Sequence, residues 1–194
     1  MKKILILLCF AFNLLAIDLE ILKEYSDNYI DALHSFLHKC KYKPNIATNC
    51  DKKDEFVKYF KDECEKGNGE FCSAIGKIYK DELIKSDDKI KDSINYYKKA
   101  CNLKVATSCY IIGTTYEIMN LDSNNDEEKK SLLKNAMEYY KKSCDLGFKF
   151  SCTQIQTIEK EQKQEKNSKY YYIALFIIVI FLIRMFFKNK SKNM

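Results

Sequence analysis

Cysteine pairs of a single spacing recur along this chain, and that repetition constrains the fold more than any other feature. Three pairs each enclose seven residues: Cys64 and Cys72, Cys101 and Cys109, Cys144 and Cys152. Two aromatic residues precede each first cysteine at the same distance, as in Tyr96-Tyr97, and an isoleucine follows each second cysteine by three positions. A frame that repeats in this way indicates repeated structural units.

The frame predicts pairs of antiparallel helices. Positions eight, seven, four and zero residues before Cys101 and Cys144 form one helical stripe. After the second cysteine, the cysteine, isoleucine, glycine and tyrosine of the Ile-Gly-x-x-Tyr pattern also share one helical face. Gly76 and Gly113 lie in the middle of these helices, where glycine costs about 1 kcal/mol relative to alanine. We therefore expect a neighbouring helix to approach closely at both glycines.

Each cysteine pair is expected to join the end of one helix to an early turn of the next. Gly67 and Gly147 follow the first cysteine by three residues, where a helix can end in a left-handed conformation. Lys104 holds the same place in the middle unit and departs from the pattern. The polar stretch 120–130 accommodates the longer second repeat step, and we interpret it as a solvated loop.

The first cysteine pair differs from the others, because Cys40 and Cys50 enclose nine residues. Residues 17–55 are predicted to form an N-terminal capping segment that this pair joins to the array. Its helix, residues 18–40, has an apolar stripe: Leu22, Tyr25, Tyr29, Leu33, Phe36 and Cys40. In the last helix, Gln156 and Glu159 replace the glycine and tyrosine of earlier units, which suits a terminal repeat with a polar outer face.

Both ends of the chain carry apolar segments. Residues 1–16 have the charged start, apolar stretch and small final residue of a signal peptide, with a lipoprotein signal ending at Cys9 as the rival. Residues 170–187 contain one charge, Arg184, and their length is close to the minimum for a membrane-spanning helix. A buried globular helix is the alternative. A charged stem, 159–169, precedes this span, and a cytoplasmic tail, 188–194, follows it.

Export determines how the cysteines are interpreted. Paired cysteines in an exported domain are most simply disulfides. Structural zinc sites favour two to four residues between paired ligands, so a spacing of seven disfavours zinc. Free buried cysteines could account for one pair but hardly for a repeat. The net charge of +6 comes from lysines interspersed with acidic residues, which argues against a nucleic-acid surface.

At these residues the chain resembles the Sel-1-like repeat family, in its cysteine-rich bacterial branch, the Helicobacter cysteine-rich proteins. The resemblance rests on the stretches 96–101 and 139–147 and on Cys-x7-Cys followed by Ile-Gly-x-x-Tyr, and it covers about residues 56–158. It implies an all-α fold, an α/α solenoid of tetratricopeptide-like helix pairs with one disulfide per repeat. It also implies an exported interaction scaffold. Some members carry a β-lactamase or penicillin-binding label, which makes β-lactam binding or hydrolysis the alternative function.

Candidate binding residues follow from the solenoid, whose concave groove is lined by the first helix of each pair. Off the apolar stripe this helix offers the following side chains: Ala74, Lys77, Tyr110, Ile111, Thr114, Thr153 and Thr157. Tyr110 and Ile111 are apolar where solvent is expected, so they are predicted to contact a partner, with Thr114 and Lys77 beside them. Contact with the adjacent helix is the rival interpretation for Tyr110 and Ile111.

Catalytic and metal-binding patterns are weak. Ser86 with Lys89, and Ser131 with Lys134, form Ser-x-x-Lys strings, but no Ser-Asp-Asn or Lys-Thr-Gly accompanies them. Both serines are predicted to cap helices.

The histidines His34 and His38 lie one helical turn apart and would need two further ligands to hold zinc. We therefore predict no cofactor, no metal and no catalytic residue. The expected protein is a single-pass protein of the cytoplasmic membrane, with its repeat domain on the periplasmic or extracellular side. Its partner would be an unknown envelope protein or peptide.

Overall fold

A computed structural model of the chain describes residues 29–45, 47 and 49–192, without the side chains of residues 29, 182, 183 and 185–192. The predicted signal peptide, with Cys9, lies outside the described residues. So do Leu22 and Tyr25 of the predicted N-terminal stripe, the side chain of Tyr29 and the last two residues of the predicted tail.

The described residues form helices and the turns between them, with no strand, as the all-α prediction required. In chain order the helices are α1 (Tyr29–Tyr42), a 3₁₀ helix (Cys50–Lys52), α2 (Lys53–Glu65), α3 (Gly69–Lys80), α4 (Lys89–Asn102), α5 (Ala106–Asp122), α6 (Asp126–Asp145) and α7 (Lys149–Lys192). The chain divides into two compact units, the first ending at Phe148 and the second consisting of α7 and the residues after it.

Within the first unit, helices that follow one another in the chain pack together from α2 to α6. The N-terminal helix α1 packs on α2 and α3. Its predicted stripe residues Leu33 and Phe36 are fully buried, in a core cluster with Phe60 and Ile75. The helix begins no later than residue 29 and ends at Tyr42, two residues beyond the predicted end.

Three of the four predicted cysteine pairs are joined in the structure: Cys40 to Cys50, Cys64 to Cys72 and Cys101 to Cys109. Cys144 and Cys152 are each disulfide-bonded as well. In the second and third pairs the bond links the last turn of one helix to the first turn of the next. Such bonds stabilise mainly by restricting the unfolded chain, here by roughly 2.5 kcal/mol for each short loop.

The turns that follow Cys64, Cys101 and Cys144 share one hydrogen-bond pattern. At the end of α2 the N–H of Gly67 donates to the carbonyl of Cys64 at 3.0 Å, and the N–H of Asn68 donates to the carbonyl of Glu63 at 3.2 Å. The same two bonds follow the first cysteine of each of the next two units. This is the Schellman arrangement, which satisfies carbonyls left free at a helix end.

The turning residue of that arrangement has a left-handed backbone in all three units. The φ angle is 93° at Gly67, 91° at Gly147 and 67° at Lys104. The two glycines behave as predicted. Lys104 adopts the same conformation despite its Cβ, so the middle unit keeps the turn at the expense of local strain.

The mid-helix glycines lie against tyrosine rings of the next helix, as predicted. A Cβ on Gly76 of α3 would lie 3.0 Å from Cγ of Tyr97 in α4, and a Cβ on Gly113 of α5 would lie 2.7 Å from Cδ1 of Tyr140 in α6. The absence of a side chain at these two positions therefore allows the aromatic rings to pack directly on the helix backbone.

The other tyrosine of each Tyr-Tyr pair stacks on the tyrosine that ends Ile-Gly-x-x-Tyr. The ring of Tyr96 lies 5.5 Å from that of Tyr79, and the ring of Tyr139 lies 5.9 Å from that of Tyr116, both nearly parallel. A lysine ammonium group lies over a ring of each pair. The Tyr-Tyr pattern and the Ile-Gly-x-x-Tyr pattern thus lie on two successive helices that contact each other.

The prediction of a solvated loop over residues 120–130 is wrong. Helix α5 continues to Asp122 and α6 starts at Asp126, so only three residues connect them. The side chain of Asn125 accepts hydrogen bonds from the N–H groups of Glu127 and Glu128 at 2.9 and 3.0 Å. Acidic residues in the first turn of α6 also complement the positive end of the helix dipole. The additional residues of this repeat lengthen both helices.

The second unit contains one continuous helix, α7, which includes the predicted stem and the predicted apolar span. Gln156 and Glu159 are exposed, in line with a polar face near its start. From residue 170 to residue 181 the apolar side chains are also exposed, for example Phe176 at 66% and Ile177 at 60%.

Candidate functional site

The residues predicted to bind a partner do not form one exposed patch. Tyr110 is half-buried, and its ring lies 5.7 Å from that of Tyr140 and 5.2 Å from that of Phe148. Ile111 is half-buried against the core cluster that includes Ile112. Contact with neighbouring helices, the rival interpretation, therefore describes the packing of both side chains.

The remaining candidates have varied surroundings. The ammonium group of Lys77 lies 3.4 Å from a carboxylate oxygen of Asp31 in α1. The hydroxyl of Thr114 donates to the backbone carbonyl of Ile111 at 2.9 Å. Ala74 is fully buried, so its predicted place off the core is wrong. A binding role for Tyr110, Ile111, Thr114 and Lys77 stays a prediction.

Exposed apolar side chains instead lie along α4 and the end of α5. Ile90 is 46% exposed, Ile118 is 58% exposed and Leu121 is 74% exposed. Leu121 lies within the stretch 120–130 that was predicted to be a loop, and Ile118 lies just before it. The helical periodicity of apolar residues beyond Tyr116 could have predicted a longer helix, but the polar residues that follow favoured a loop.

A groove of about 490 Å³ runs between α4 and α5, and Ile90 is one of its lining residues. It is lined by Asp88, Ile90, Lys91, Ile94, Asn95, Lys98, Tyr116 and Met119. Its apolar side chains can bury the apolar side chains of a partner, and its lysines and Asp88 can orient polar groups at the edge. We call this groove the α4–α5 surface. Ile118 and Leu121 are not among its lining residues, because about 100° per residue places them on the other side of α5 from Tyr116 and Met119.

A second concave site lies between the end of α1, the 3₁₀ helix and the connection from α3 to α4. This cleft has a volume of about 580 Å³. Its lining consists of Leu37, Cys40, Lys41, Cys50, Lys53, Glu82, Leu83, Ile84, Lys85, Ser86, Asp87 and Lys89. It contains both members of one Ser-x-x-Lys string, Ser86 and Lys89, so it is the place to examine for acyl-transfer chemistry.

Lys89 is not arranged as the base that would activate Ser86. Its hydroxyl donates to a carboxylate oxygen of Asp92 at 2.7 Å and accepts from the N–H of Asp88 at 3.1 Å. Lys89 pairs with Glu82, and this hydrogen bond lowers the pKa of the Glu82 carboxyl. A nucleophile requires a base that takes its proton, and Lys89 is directed elsewhere.

The predicted capping role of Ser86 and Ser131 is also corrected. The helix caps are Asp88, whose side chain accepts from the N–H of Lys91, and Asn125. Ser131 is exposed inside α6, well past the helix start. Ser86 lies just before α4 and binds the backbone of the connecting turn.

The histidine pair takes part in ordinary surface contacts. His34 Nε2 lies 2.7 Å from a carboxylate oxygen of Asp81, and the His38 ring lies 4.7 Å from that of Tyr42. The nearby Cys40 and Cys50 are oxidised. Over the part of the chain that the structure describes, no group of three or more His, Cys, Asp and Glu side chains could hold a metal ion.

The predicted membrane span is described in part. Among the described residues, no helix contains an apolar stretch long enough to cross a bilayer. Of the predicted span, the side chains of residues 182, 183 and 185–187 lie outside the described residues.

Comparison with known proteins leaves the family assignment as a prediction. No protein-family model matches this chain, and no curated protein matches it either. The Sel-1-like resemblance therefore rests on the repeated residues themselves.

Proposed function

We propose that this protein is an exported, membrane-anchored Sel-1-like repeat protein that acts as a protein–protein interaction scaffold in the cell envelope. The observation that carries the proposal is the α4–α5 surface, a groove with an exposed Ile90 and half-buried Tyr116 and Met119 on a helical framework held by disulfides. Accessible apolar groups that line a groove are typical of interaction sites. The packing of each helix on the next one in the chain supports a solenoid arrangement as part of this proposal, because in a solenoid each helix pair contacts mainly its neighbours.

Anchoring is proposed from α7. Residues 170–187 would extend about 27 Å as a helix, close to the thickness of the hydrocarbon core. Those whose side chains are described are exposed, and lipid is the environment that would cover them. The signal peptide then places the repeat domain on the periplasmic or extracellular side of the cytoplasmic membrane, with residues 188–194 in the cytoplasm.

A photocrosslinking residue placed at Ile90, an exposed lining residue of the groove, tests the scaffold proposal in intact cells that express the full chain. The matched control carries the same residue at Lys58, which is exposed on α2. We expect a discrete adduct from position 90 only, and a weaker adduct when Met119 is changed to Ser. Burying one such side chain contributes about 1.5–3 kcal/mol, so binding should weaken by roughly 10-fold or more. Equal adducts at positions 90 and 58, or none at either, would contradict the proposal.

Anchoring is tested separately by extraction of membranes at alkaline pH. The full chain should stay with the membrane, and a variant lacking residues 170–187 should be released. Release of both proteins would show that the segment does not anchor the chain.

A second candidate function is β-lactam binding or hydrolysis, favoured by the position of Ser86 and Lys89 in one cleft. The pairing of Lys89 with Glu82 argues against Lys89 as the base for Ser86. Nitrocefin turnover by the purified chain tests it, with Ser86→Ala and Ser131→Ala combined as the variant. Turnover that is lost in this variant would support the enzyme, and no turnover in the unmodified chain would exclude it for this substrate.

A further inference from the structure

We propose that the cleft beside the Cys40–Cys50 disulfide binds a small organic carboxylate with an aliphatic body. The cleft shares no lining residue with the α4–α5 groove, so the inference goes beyond the scaffold proposal. Its volume of about 580 Å³ falls in the range of ligand pockets, roughly 300–1,000 Å³.

The apolar part of the lining suits an aliphatic body. Leu37 is 3% exposed, and Leu83 and Ile84 are half-buried against the same core cluster. The Cys40–Cys50 disulfide adds a further weakly polar surface. None of these groups can hydrogen-bond a ligand strongly, so this side of the cleft favours hydrocarbon.

The charged part of the lining suits an anion. Four lysines line the cleft, Lys41, Lys53, Lys85 and Lys89, against two acidic residues, Glu82 and Asp87. Two of these lysines are already engaged. Lys89 pairs with Glu82, and the ammonium group of Lys41 donates to the Glu82 carbonyl at 2.5 Å.

Lys53 and Lys85 are the lysines that remain for a ligand. No carboxylate from the described part of the chain lies within ion-pair distance of either one. The two approach the cleft from different segments, Lys53 from the start of α2 and Lys85 from the connection between α3 and α4. A carboxylate between them would neutralise charge that the described residues leave unpaired.

The disulfide constrains the segment of the cleft that carries Lys53. Cys40 belongs to α1 and Cys50 begins the 3₁₀ helix that leads directly into Lys53. In the connection from α3 to α4, Glu82 has a left-handed backbone with a φ of 56° and precedes Lys85 by three residues. The backbone at Lys53 is thus held by a covalent link, which reduces the backbone entropy lost on binding.

Methyl NMR of the full chain in uncharged detergent tests the proposal with octanoate as the probe. Octanol is the matched neutral compound, because it has the same chain without the charge. We expect saturable shifts of the Leu37, Leu83 and Ile84 methyl signals with octanoate, and much smaller shifts with octanol. The control proteins are Lys53→Gln with Lys85→Gln, and a surface variant, Lys58→Gln with Lys134→Gln.

The cleft variant should bind octanoate about five-fold more weakly, since each exposed charge pair contributes modestly, whereas the surface variant should bind like the unmodified chain. Raising the salt concentration should weaken binding of octanoate and leave octanol unchanged. The proposal is overturned if octanoate up to about 20 mM moves none of the three methyl signals, a concentration well above the millimolar affinity that such a contact gives. Equal shifts with octanol, or equal affinities in the two lysine variants, would also overturn it.

Discussion

The contact between Gly113 and the Tyr140 ring allows a sharp prediction for the Gly113→Ala variant. The new Cβ would lie 2.7 Å from both Cδ1 and Cε1 of Tyr140, whereas carbon atoms pack favourably at about 3.5–4.0 Å. Tyr140 is fully buried and its hydroxyl donates to Glu117, so the ring has little room to withdraw. Overpacking of this kind costs about 1–3 kcal/mol.

Helix propensity acts in the opposite direction, because alanine in a helix is favoured over glycine by about 1 kcal/mol. With two ring carbons so close, we place the overpacking cost in the upper part of its range, about 2–3 kcal/mol. The net expectation is a loss of about 1–2 kcal/mol in the free energy of unfolding. The equivalent Gly76→Ala meets Tyr97 at the longer distance of 3.0 Å, so its two effects should nearly cancel.

Guanidinium denaturation followed by circular dichroism measures both variants in the disulfide-bonded full chain. A double-mutant cycle with Tyr140→Leu isolates the ring contact, and the Gly113→Ala cost should largely disappear in that background. A Gly113→Ala variant as stable as the unmodified chain would refute the reasoning. The same holds if its cost survives unchanged when Tyr140 is replaced.

Three further predictions concern helix ends and ionisation. Lys104→Gly should raise the free energy of unfolding by about 1 kcal/mol, because a left-handed backbone strains any residue with a Cβ; Lys104→Ala keeps the Cβ, and an equal gain there would contradict this cause. Asn125→Ala should cost about 1 kcal/mol in the same denaturation assay, since two helix N–H groups lose their acceptor, and Asn125→Asp should be nearly neutral; the opposite order would contradict a capping role. Burial, and then the hydrogen bond to Glu117, raise the pKa of Tyr140 in the folded chain, so the unfolded chain releases this proton first and stability should fall as pH rises above about 10. Denaturation midpoints between about pH 8 and 11.5 should fall less steeply for Tyr140→Phe, and identical pH profiles would count against this group.

Much of the helical framework could be predicted from the spacing of a few residue types. The cysteine frame indicated which helix ends are joined, and the isolated mid-helix glycines indicated close approach of another helix, because glycine is otherwise unfavourable there. The pattern could not show that Lys104 would adopt the conformation of Gly67. Disulfide and turn hydrogen bonds outweigh the strain at one residue, and only the folded turn shows that balance.

The candidate sites were far less predictable. Tyr110 and Ile111 lie off the apolar stripe of their own helix, so they were expected to be exposed. Both pack against neighbouring elements, which the periodicity of one helix cannot indicate. The place of Leu121 on a helix depends on α5 continuing to Asp122, where polar residues suggested a loop. The cleft brings Leu37 next to Ile84, residues far apart in the chain.

The sequence alone determined the helices and the turns between them, because helix periodicity, turn residues and short disulfide loops act over fewer than about ten positions. They define which segments are helices and how successive helices join. The tertiary structure decided which side chains remain at the surface and which charges stay unpaired, since burial and Coulomb interactions depend on distances between segments remote in sequence. Lys53 and Lys85 illustrate this, because no local pattern relates them and folding alone places both at one cleft.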